Sequence, residues 1–121
     1  MNKIFQILVV DDNVDAADTL GMLLEINGHV IRSANDGTTG IALAEEFKPD
    51  LILLDIGLPD INGYDVARQI RTSAWGKEML LIAVTGWGQD KDKELAESAG
   101  FNHHLTKPIN LKVLNDILTS L

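Results

Sequence analysis

The sequence contains no cysteine, which excludes a disulfide framework, a thiolate nucleophile and a cysteine-based zinc site, and fits a reducing compartment. Basic residues are also scarce: 10 Lys and Arg stand against 18 Asp and Glu, which gives a net charge of −8. A surface of this sign does not neutralise nucleic-acid phosphates. We therefore expect no direct binding of DNA or RNA by this segment.

Long hydrophobic runs are absent as well, since the longest apolar runs have the length of a strand. The first residues do not have the pattern of a signal peptide, so we expect a cytoplasmic protein with no membrane contact by this segment. The 121 residues, 45% of them hydrophobic and 23% charged, have the size and balance of one globular domain. We predict a single domain over residues 1–121.

Short apolar, β-rich runs alternate with helix-length segments along the whole chain. This alternation is typical of an α/β fold in which helices cover both faces of a parallel sheet. The predicted strands are residues 4–10, 29–34, 51–55, 79–84 and 101–106. The predicted helices are residues 14–27, a segment that ends near Lys48, residues 64–72, residues 89–99 with Leu95 and Ala96 as the main apolar residues, and a last helix with the stripe Leu111, Leu114, Leu118 and Leu121.

Polar side chains end four of the five predicted strands. In an open parallel sheet the binding crevice lies at the carboxyl ends of the strands, so these side chains are expected to share one rim. They are Asp11 and Asp12 after the first strand, Asp55 at the end of the third, Thr85 after the fourth, and Thr106 and Lys107 at the end of the fifth.

Three carboxylates in one crevice require a bound cation or raised pKa values, because two like charges about 4 Å apart repel by roughly 4 kcal/mol at an effective dielectric near 20. Hard oxygen ligands with room for water suit Mg²⁺. Asp55 is then the candidate nucleophile toward phosphorus. Lys107 would pair with one phosphoryl oxygen, and Thr85 would donate a hydrogen bond to another.

Each of these residues also has a simpler interpretation. Asp11 and Asp12 can cap the first helix, and Lys107 can be an ordinary surface lysine. The joint pattern favours a site, because helix capping does not require an acid at Asp55 on a different strand. Lys107 precedes Pro108, and a cis peptide bond there would aim the lysine inward.

The chain resembles the receiver domain of response regulators, of the chemotaxis-regulator type, over essentially its whole length. The motifs that carry the resemblance are Val9-Val10-Asp11-Asp12-Asn13, Asp55-Ile56-Gly57-Leu58-Pro59, Asn62-Gly63, Val84-Thr85-Gly86 and Leu105-Thr106-Lys107-Pro108. The resemblance implies a flavodoxin-like (βα)5 three-layer sandwich with a five-stranded parallel sheet of order 2-1-3-4-5. It also implies two-component signal transduction, in which a sensor histidine kinase or a histidine phosphotransfer domain supplies the phosphoryl group.

Residue roles follow from the same resemblance. Asp55 becomes the phosphoacceptor, and Mg²⁺ is held by the side chains of Asp12 and Asp55 and the backbone carbonyl of Gly57, with Asp11 acting through water. Thr85 and Lys107 sense the phosphoryl group, the Lys107-Pro108 bond is cis, and His104 occupies the switch position. Phosphorylation is expected to change the surface of the fourth helix, fifth strand and fifth helix, which binds an output partner that the sequence does not identify.

The chain departs from many relatives at Gly57 and Trp87, where those relatives carry polar side chains that touch the reacting water. These residues and the run from Gly100 to Leu105 resemble receivers joined to hybrid sensor histidine kinases more than chemotaxis shuttles. His104 can also be a partly buried histidine without a switching role, and His103 is expected to be exposed.

Two other functions fit the fold class less well. A phosphatase of the haloacid-dehalogenase type also uses an aspartate nucleophile with Mg²⁺, but it carries a second aspartate where this chain has Gly57. A flavodoxin-like ligand-binding module lacks support, because no G-x-G-x-x-G follows the first strand. We therefore do not expect a conventional enzyme, although a receiver promotes its own phosphorylation and dephosphorylation.

Overall fold

A computed structural model describes residues 3–86 and 90–121, in which five strands alternate with five helices. The elements are β1 (Gln6–Val10), α1 (Val14–Ile26), β2 (Val30–Ala34), α2 (Gly37–Phe47), β3 (Leu51–Asp55), α3 (Gly63–Thr72), β4 (Leu80–Thr85), α4 (Asp90–Ala99), β5 (His103–Thr106) and α5 (Leu111–Thr119). None of the helices in this described part combines the length and the apolar character needed to cross a membrane.

All strand pairs are parallel, and the sheet order is β2-β1-β3-β4-β5, as the resemblance implied. In the register of the sheet, Val10 lies beside Leu54, and Asp55 lies beside Val84. The residue after β1 and the last residue of β3 therefore reach the same edge of the sheet. This pairing places the predicted site at the centre of that edge.

The core lies in two layers, one on each face of the sheet, because alternate strand residues point to opposite faces. Leu8, Ile52 and Leu54 pack on one face with buried residues of α2, α3 and α4. Ile7 and Leu53 pack on the other face with buried residues of α1 and α5. Every residue of β3 is buried, which explains its continuous apolar run. The three-layer sandwich is confirmed.

Several predicted boundaries are wrong by one or two residues. β1 begins at Gln6, and Ile4 is 67% exposed. β5 begins at His103, because Phe101 still closes the end of α4 by donating its N–H to the carbonyl of Ala96. Local periodicity marks apolar segments, but the inter-strand hydrogen bonds decide where a strand begins.

Two apolar residues singled out in the predicted helices are exposed. Leu95 in α4 is 39% exposed, and the buried residues among positions 93–99 of that helix are Ala96 and Ala99. Leu121 follows the end of α5 and is also 39% exposed, although Leu114 and Leu118 of the same stripe are buried. The contact of α4 with the core is therefore made by two small side chains among its described residues.

Gly63, the first residue of α3, closes the loop that leaves β3. Its N–H donates to the carbonyl of Ile56 at 2.9 Å. A Cβ atom at this position would lie 2.7 Å from both the Asp55 carbonyl oxygen and the Ile56 Cα. Only glycine allows the start of α3 to approach the end of β3 this closely.

We predict that Gly63→Ala lowers the free energy of unfolding by about 1–3 kcal/mol, because the added methyl group meets backbone rather than a movable side chain. Gly86→Ala is the matched control, since an added Cβ there meets no described atom within 4 Å. Urea denaturation of both variants checks this expectation. Equal stability of the Gly63→Ala and Gly86→Ala proteins would contradict it.

Candidate functional site

Three acidic side chains meet at the carboxyl edge of the sheet. Asp11 and Asp12 follow β1, and Asp55 ends β3; one carboxylate oxygen from each lies within 4.8 Å of the others. Asp55 is 5% exposed and Asp11 is 9% exposed, whereas Asp12 is exposed. The cluster thus consists of two buried acids, Asp11 and Asp55, and one solvent-exposed acid, Asp12.

The acids of this cluster are not the cap of α1. The N-cap is Asn13, whose side-chain oxygen accepts the N–H of Ala16 at 3.0 Å. Asp11 instead accepts the N–H of Asn13 at 2.9 Å, which orients its carboxylate at the end of β1. The simpler interpretation of these acids as helix caps is therefore wrong.

Lys107 reaches into the cluster from the loop after β5. Its Nζ lies 3.1 Å from Asp55 Oδ2 and 3.5 Å from Asp11 Oδ2. Its own backbone N–H donates to the Thr85 carbonyl at 2.7 Å, and the Lys107-Pro108 peptide bond is cis. Lys107 therefore pairs with two acids of the cluster, although its side chain is still 36% exposed.

The charges of the cluster are not balanced. Burial raises the pKa of the Asp11 carboxyl, and the nearby charge of Asp55 raises it further, against the lowering effect of the Asn13 N–H. Burial alone would lower the pKa of Lys107, but its hydrogen bond and attraction to Asp55 outweigh this and raise it. The lysine stays positively charged and supplies one positive charge beside three acidic side chains.

Asp55 is held on both of its carboxylate oxygens. Lys107 binds Oδ2, and the backbone N–H of Gly57 donates to Oδ1 at 3.0 Å. Gly57 lies in the loop between β3 and α3, and its N–H is the group that contacts the cluster. The resemblance implies that its carbonyl is a metal ligand, which stays a prediction.

Thr85 and His104 lie on neighbouring strands and are joined side chain to side chain. Thr85 Oγ1 lies 3.0 Å from His104 Nε2, within hydrogen-bonding distance. Thr85 is 4% exposed and His104 is half-buried, while His103 is exposed as predicted. Trp87, the other residue singled out near the site, lies outside the described residues.

The sequence model of the response regulator receiver domain family matches residues 7–119. The chain belongs to this family. It is 37% identical over 117 residues to protein PilH of Pseudomonas aeruginosa, a match that covers 93% of this chain and 97% of PilH. It is 36% identical over 110 residues to the autoinducer sensor kinase/phosphatase CqsS of Vibrio cholerae, with 90% of this chain but 16% of CqsS covered.

A solved structure resembles this receiver domain closely. It is the co-crystal structure of the Saccharomyces cerevisiae histidine phosphotransfer signaling protein Ypd1 and the receiver domain of its downstream response regulator Ssk1. The match has a TM-score of 0.89 at 28% identity and covers 98% of this chain and 89% of that chain. A sensor kinase and a protein of about the same length as this receiver domain thus both appear among its relatives.

Two contacts that shape the site of this receiver domain were not predicted. Asn35 donates from its side-chain amide to the Asp11 carbonyl at 3.0 Å. Asp60, in the loop after β3, accepts hydrogen bonds from Gly37 and Thr38 at the start of α2. Neither contact corresponds to a motif in the sequence.

We predict that Asp11→Asn stabilises the metal-free receiver domain. The substitution removes one of the clustered negative charges and keeps an oxygen that can accept the Asn13 N–H. The melting temperature in EDTA should rise by a few degrees, or roughly 1 kcal/mol. Asp116→Asn, at an exposed acid of α5, is the control for net charge and should leave the melting temperature almost unchanged. A fall in the melting temperature of Asp11→Asn would show that charge repulsion in the cluster is not significant.

Proposed function

We propose that this receiver domain accepts a phosphoryl group on Asp55 and thereby changes the surface formed by α4, β5 and α5. The observation that carries the proposal is the constellation at one edge of the sheet: a buried Asp55 held by Gly57 and Lys107, beside Asp11 and Asp12. The family membership supports the same function, because receivers of two-component response regulators are signalling modules rather than conventional enzymes.

The donor set of the cluster fits Mg²⁺. Carboxylate oxygens within 4.8 Å of one another are hard ligands, and the exposure of Asp12 leaves room for the waters that Mg²⁺ retains. We assign the side chains of Asp12 and Asp55 and the Gly57 carbonyl as ligands, with Asp11 acting through water. When bound, Mg²⁺ would supply the positive charge that offsets these carboxylates and the incoming phosphoryl oxygens.

The transfer step needs a charged acceptor oxygen that is already oriented. A carboxylate oxygen of Asp55 forms the new bond to phosphorus as the bond between phosphorus and the donor's histidine nitrogen breaks. The Lys107 ammonium, 3.1 Å from Asp55, is placed to pair with a phosphoryl oxygen. The Thr85 hydroxyl donates to a second phosphoryl oxygen.

The switch follows from the contact between Thr85 and His104. When the Thr85 hydroxyl turns to the phosphoryl group, its present 3.0 Å contact with His104 Nε2 is lost. His104 can then rotate into the space behind Thr85. The small buried side chains of α4, Ala96 and Ala99, suit a helix that shifts with this change.

The phosphoryl donor in this proposal is a sensor histidine kinase or a histidine phosphotransfer domain. The similarity to the receiver that was crystallised with Ypd1 supports a phosphotransfer domain as an exchange partner. The similarity to CqsS supports the hypothesis of a receiver from a hybrid kinase, and the similarity to PilH supports a small regulator.

We propose that the output partner is another protein or another part of a parent polypeptide. The phosphatase and flavodoxin-like alternatives are not favoured, because the match is to the receiver family.

We predict that phosphorylation requires both Asp55 and a divalent cation, because the nucleophile and the neutralising charge are separate requirements. Incubation with acetyl phosphate and Mg²⁺ should give an acid-stable, alkali-labile phosphoryl adduct, which mass spectrometry detects as a mass increase of about 80 Da. Asp55→Ala should give no adduct, and EDTA should abolish it in the unmodified chain. Asp116→Asn is the control and should be modified normally. Adduct formation by Asp55→Ala, or full modification in EDTA, would contradict the proposal.

We predict that Asp12→Ala weakens Mg²⁺ binding more than Asp11→Ala, since only Asp12 is assigned as a direct ligand. We expect losses on the order of 100-fold for Asp12→Ala and about tenfold for Asp11→Ala. Isothermal titration with MgCl₂ measures both dissociation constants. Equal losses in the two variants would refute this division of roles.

A further inference from the structure

Asp60 lies in the loop between β3 and α3, but its carboxylate binds the first turn of a different helix, α2. Oδ1 accepts the N–H of Gly37 at 2.7 Å. Oδ2 accepts the N–H of Thr38 at 2.9 Å and the Thr38 hydroxyl at 2.6 Å. The Thr38 hydroxyl and these N–H groups hold the pKa of Asp60 well below its usual range, because they stabilise the ionised carboxylate. Three hydrogen bonds therefore join this loop to α2.

These hydrogen bonds are additional to the normal cap of α2. The N-cap is Asp36, whose Oδ1 accepts the N–H of Thr39 at 2.7 Å. The loop also packs against the helix start, because a Cβ at Gly37 would lie 3.1 Å from the Cβ of Ile61 and 3.2 Å from Asp60 Oδ1. The contact of Asp60 with α2 thus fixes the position of the loop as well as the end of the helix.

The tethered loop is the one that approaches Asp55. Its first part carries Gly57, whose N–H donates to Asp55 Oδ1, and its far end is closed by the hydrogen bond from Gly63 to Ile56. Asp60 provides a third attachment between these two points. Since Gly57 and Asp60 are three residues apart, movement of Asp60 would be transmitted directly to the Gly57 backbone.

The start of α2 is also connected to the other half of the acidic cluster. Asn35, two residues before Gly37, donates its side-chain amide to the Asp11 carbonyl at 3.0 Å. The Asp11 N–H in turn donates to the Ala34 carbonyl at 3.0 Å. The segment 34–38 therefore contacts the end of β1 on one side and, through Asp60, the loop after β3 on the other.

We propose that Asp60 is a positioning residue for the metal and phosphoryl site. By binding the start of α2, it sets the distance between the end of β1, which carries Asp11 and Asp12, and the loop that carries Gly57. A metal site with ligands on two separate segments gains affinity when both segments are held in place before the ion arrives. This inference rests on the proposed function of the cluster as a Mg²⁺ site.

Asp60→Ala and Asp36→Ala form a matched pair for testing the proposal. Each substitution removes one carboxylate that accepts an N–H group in the first turn of α2. Only Asp60→Ala also breaks the contact between α2 and the loop after β3. We expect both variants to have lower melting temperatures in EDTA. Isothermal titration with MgCl₂ should show about a fivefold or greater rise in the dissociation constant for Asp60→Ala and less than about a twofold change for Asp36→Ala. Asp60→Asn, which keeps an acceptor oxygen, should fall between Asp60→Ala and the unmodified chain.

A second readout separates failure of this inference from failure of the Mg²⁺ assignment. In metal-free protein, hydrogen exchange of the Gly57 amide should be faster in Asp60→Ala and unchanged in Asp36→Ala. Absence of Mg²⁺ binding by the unmodified chain would overturn the assigned metal site, while the exchange result would still test the tether. Equal Mg²⁺ affinities and equal Gly57 exchange in the two alanine variants would overturn the positioning role and leave Asp60 as a helix cap. Should Asp60→Ala not fold, the same comparison is made with Asp60→Asn.

Discussion

The repulsion among Asp11, Asp12 and Asp55 is the interaction on which the arrangement of the site depends. Their carboxylate oxygens lie within 4.8 Å of one another, and Lys107 is the ammonium that reaches Asp11 and Asp55 among the described residues. Counted as formal charges, three carboxylates and one ammonium leave an excess of two negative charges at the edge of the sheet. In the proposed function a divalent cation offsets this excess, because like charges in a partly buried crevice are stabilised by an added positive charge. The same excess is expected to repel a phosphoryl group until that charge is supplied.

The surrounding fold holds the acids together against this repulsion. β1 and β3 are adjacent and parallel, so the pairing of Val10 with Leu54 fixes the ends of both strands at one level. Every residue of β3 is buried in the apolar layers on the two faces of the sheet. Backbone N–H groups then orient individual carboxylates, as Asn13 does for Asp11 and Gly57 does for Asp55. The buried strands thus stabilise the fold, while the clustered acids at their ends repel one another. This combination is common where a binding site is built on a rigid sheet.

The sequence predicts the parts of the site that depend on strand ends, because parallel pairing sends every strand's last residue to the same edge. Asp55 and Lys107 are found together for this reason, although they are separated by 52 positions. Contacts between loops carry no such pattern. Asp60 is a solvent-exposed loop acid that nevertheless binds the start of α2. Arg71 looks like a surface residue of α3, yet it donates to the Met79 carbonyl at 2.6 Å and to the Asn102 side chain at 2.7 Å. Such polar contacts depend on the three-dimensional path of the loops, which neither composition nor periodicity specifies.

The most direct test of this account is a crystal structure of the chain grown with MnCl₂ and beryllium fluoride, using the anomalous scattering of manganese to locate the cation. We expect one manganese peak in contact with the side chains of Asp12 and Asp55 and the carbonyl of Gly57. We also expect beryllium fluoride on Asp55 with Lys107 and Thr85 as its neighbours, and His104 separated from Thr85. A manganese ion bound elsewhere, or beryllium fluoride absent from Asp55 in a crystal that contains the ion, would contradict the account.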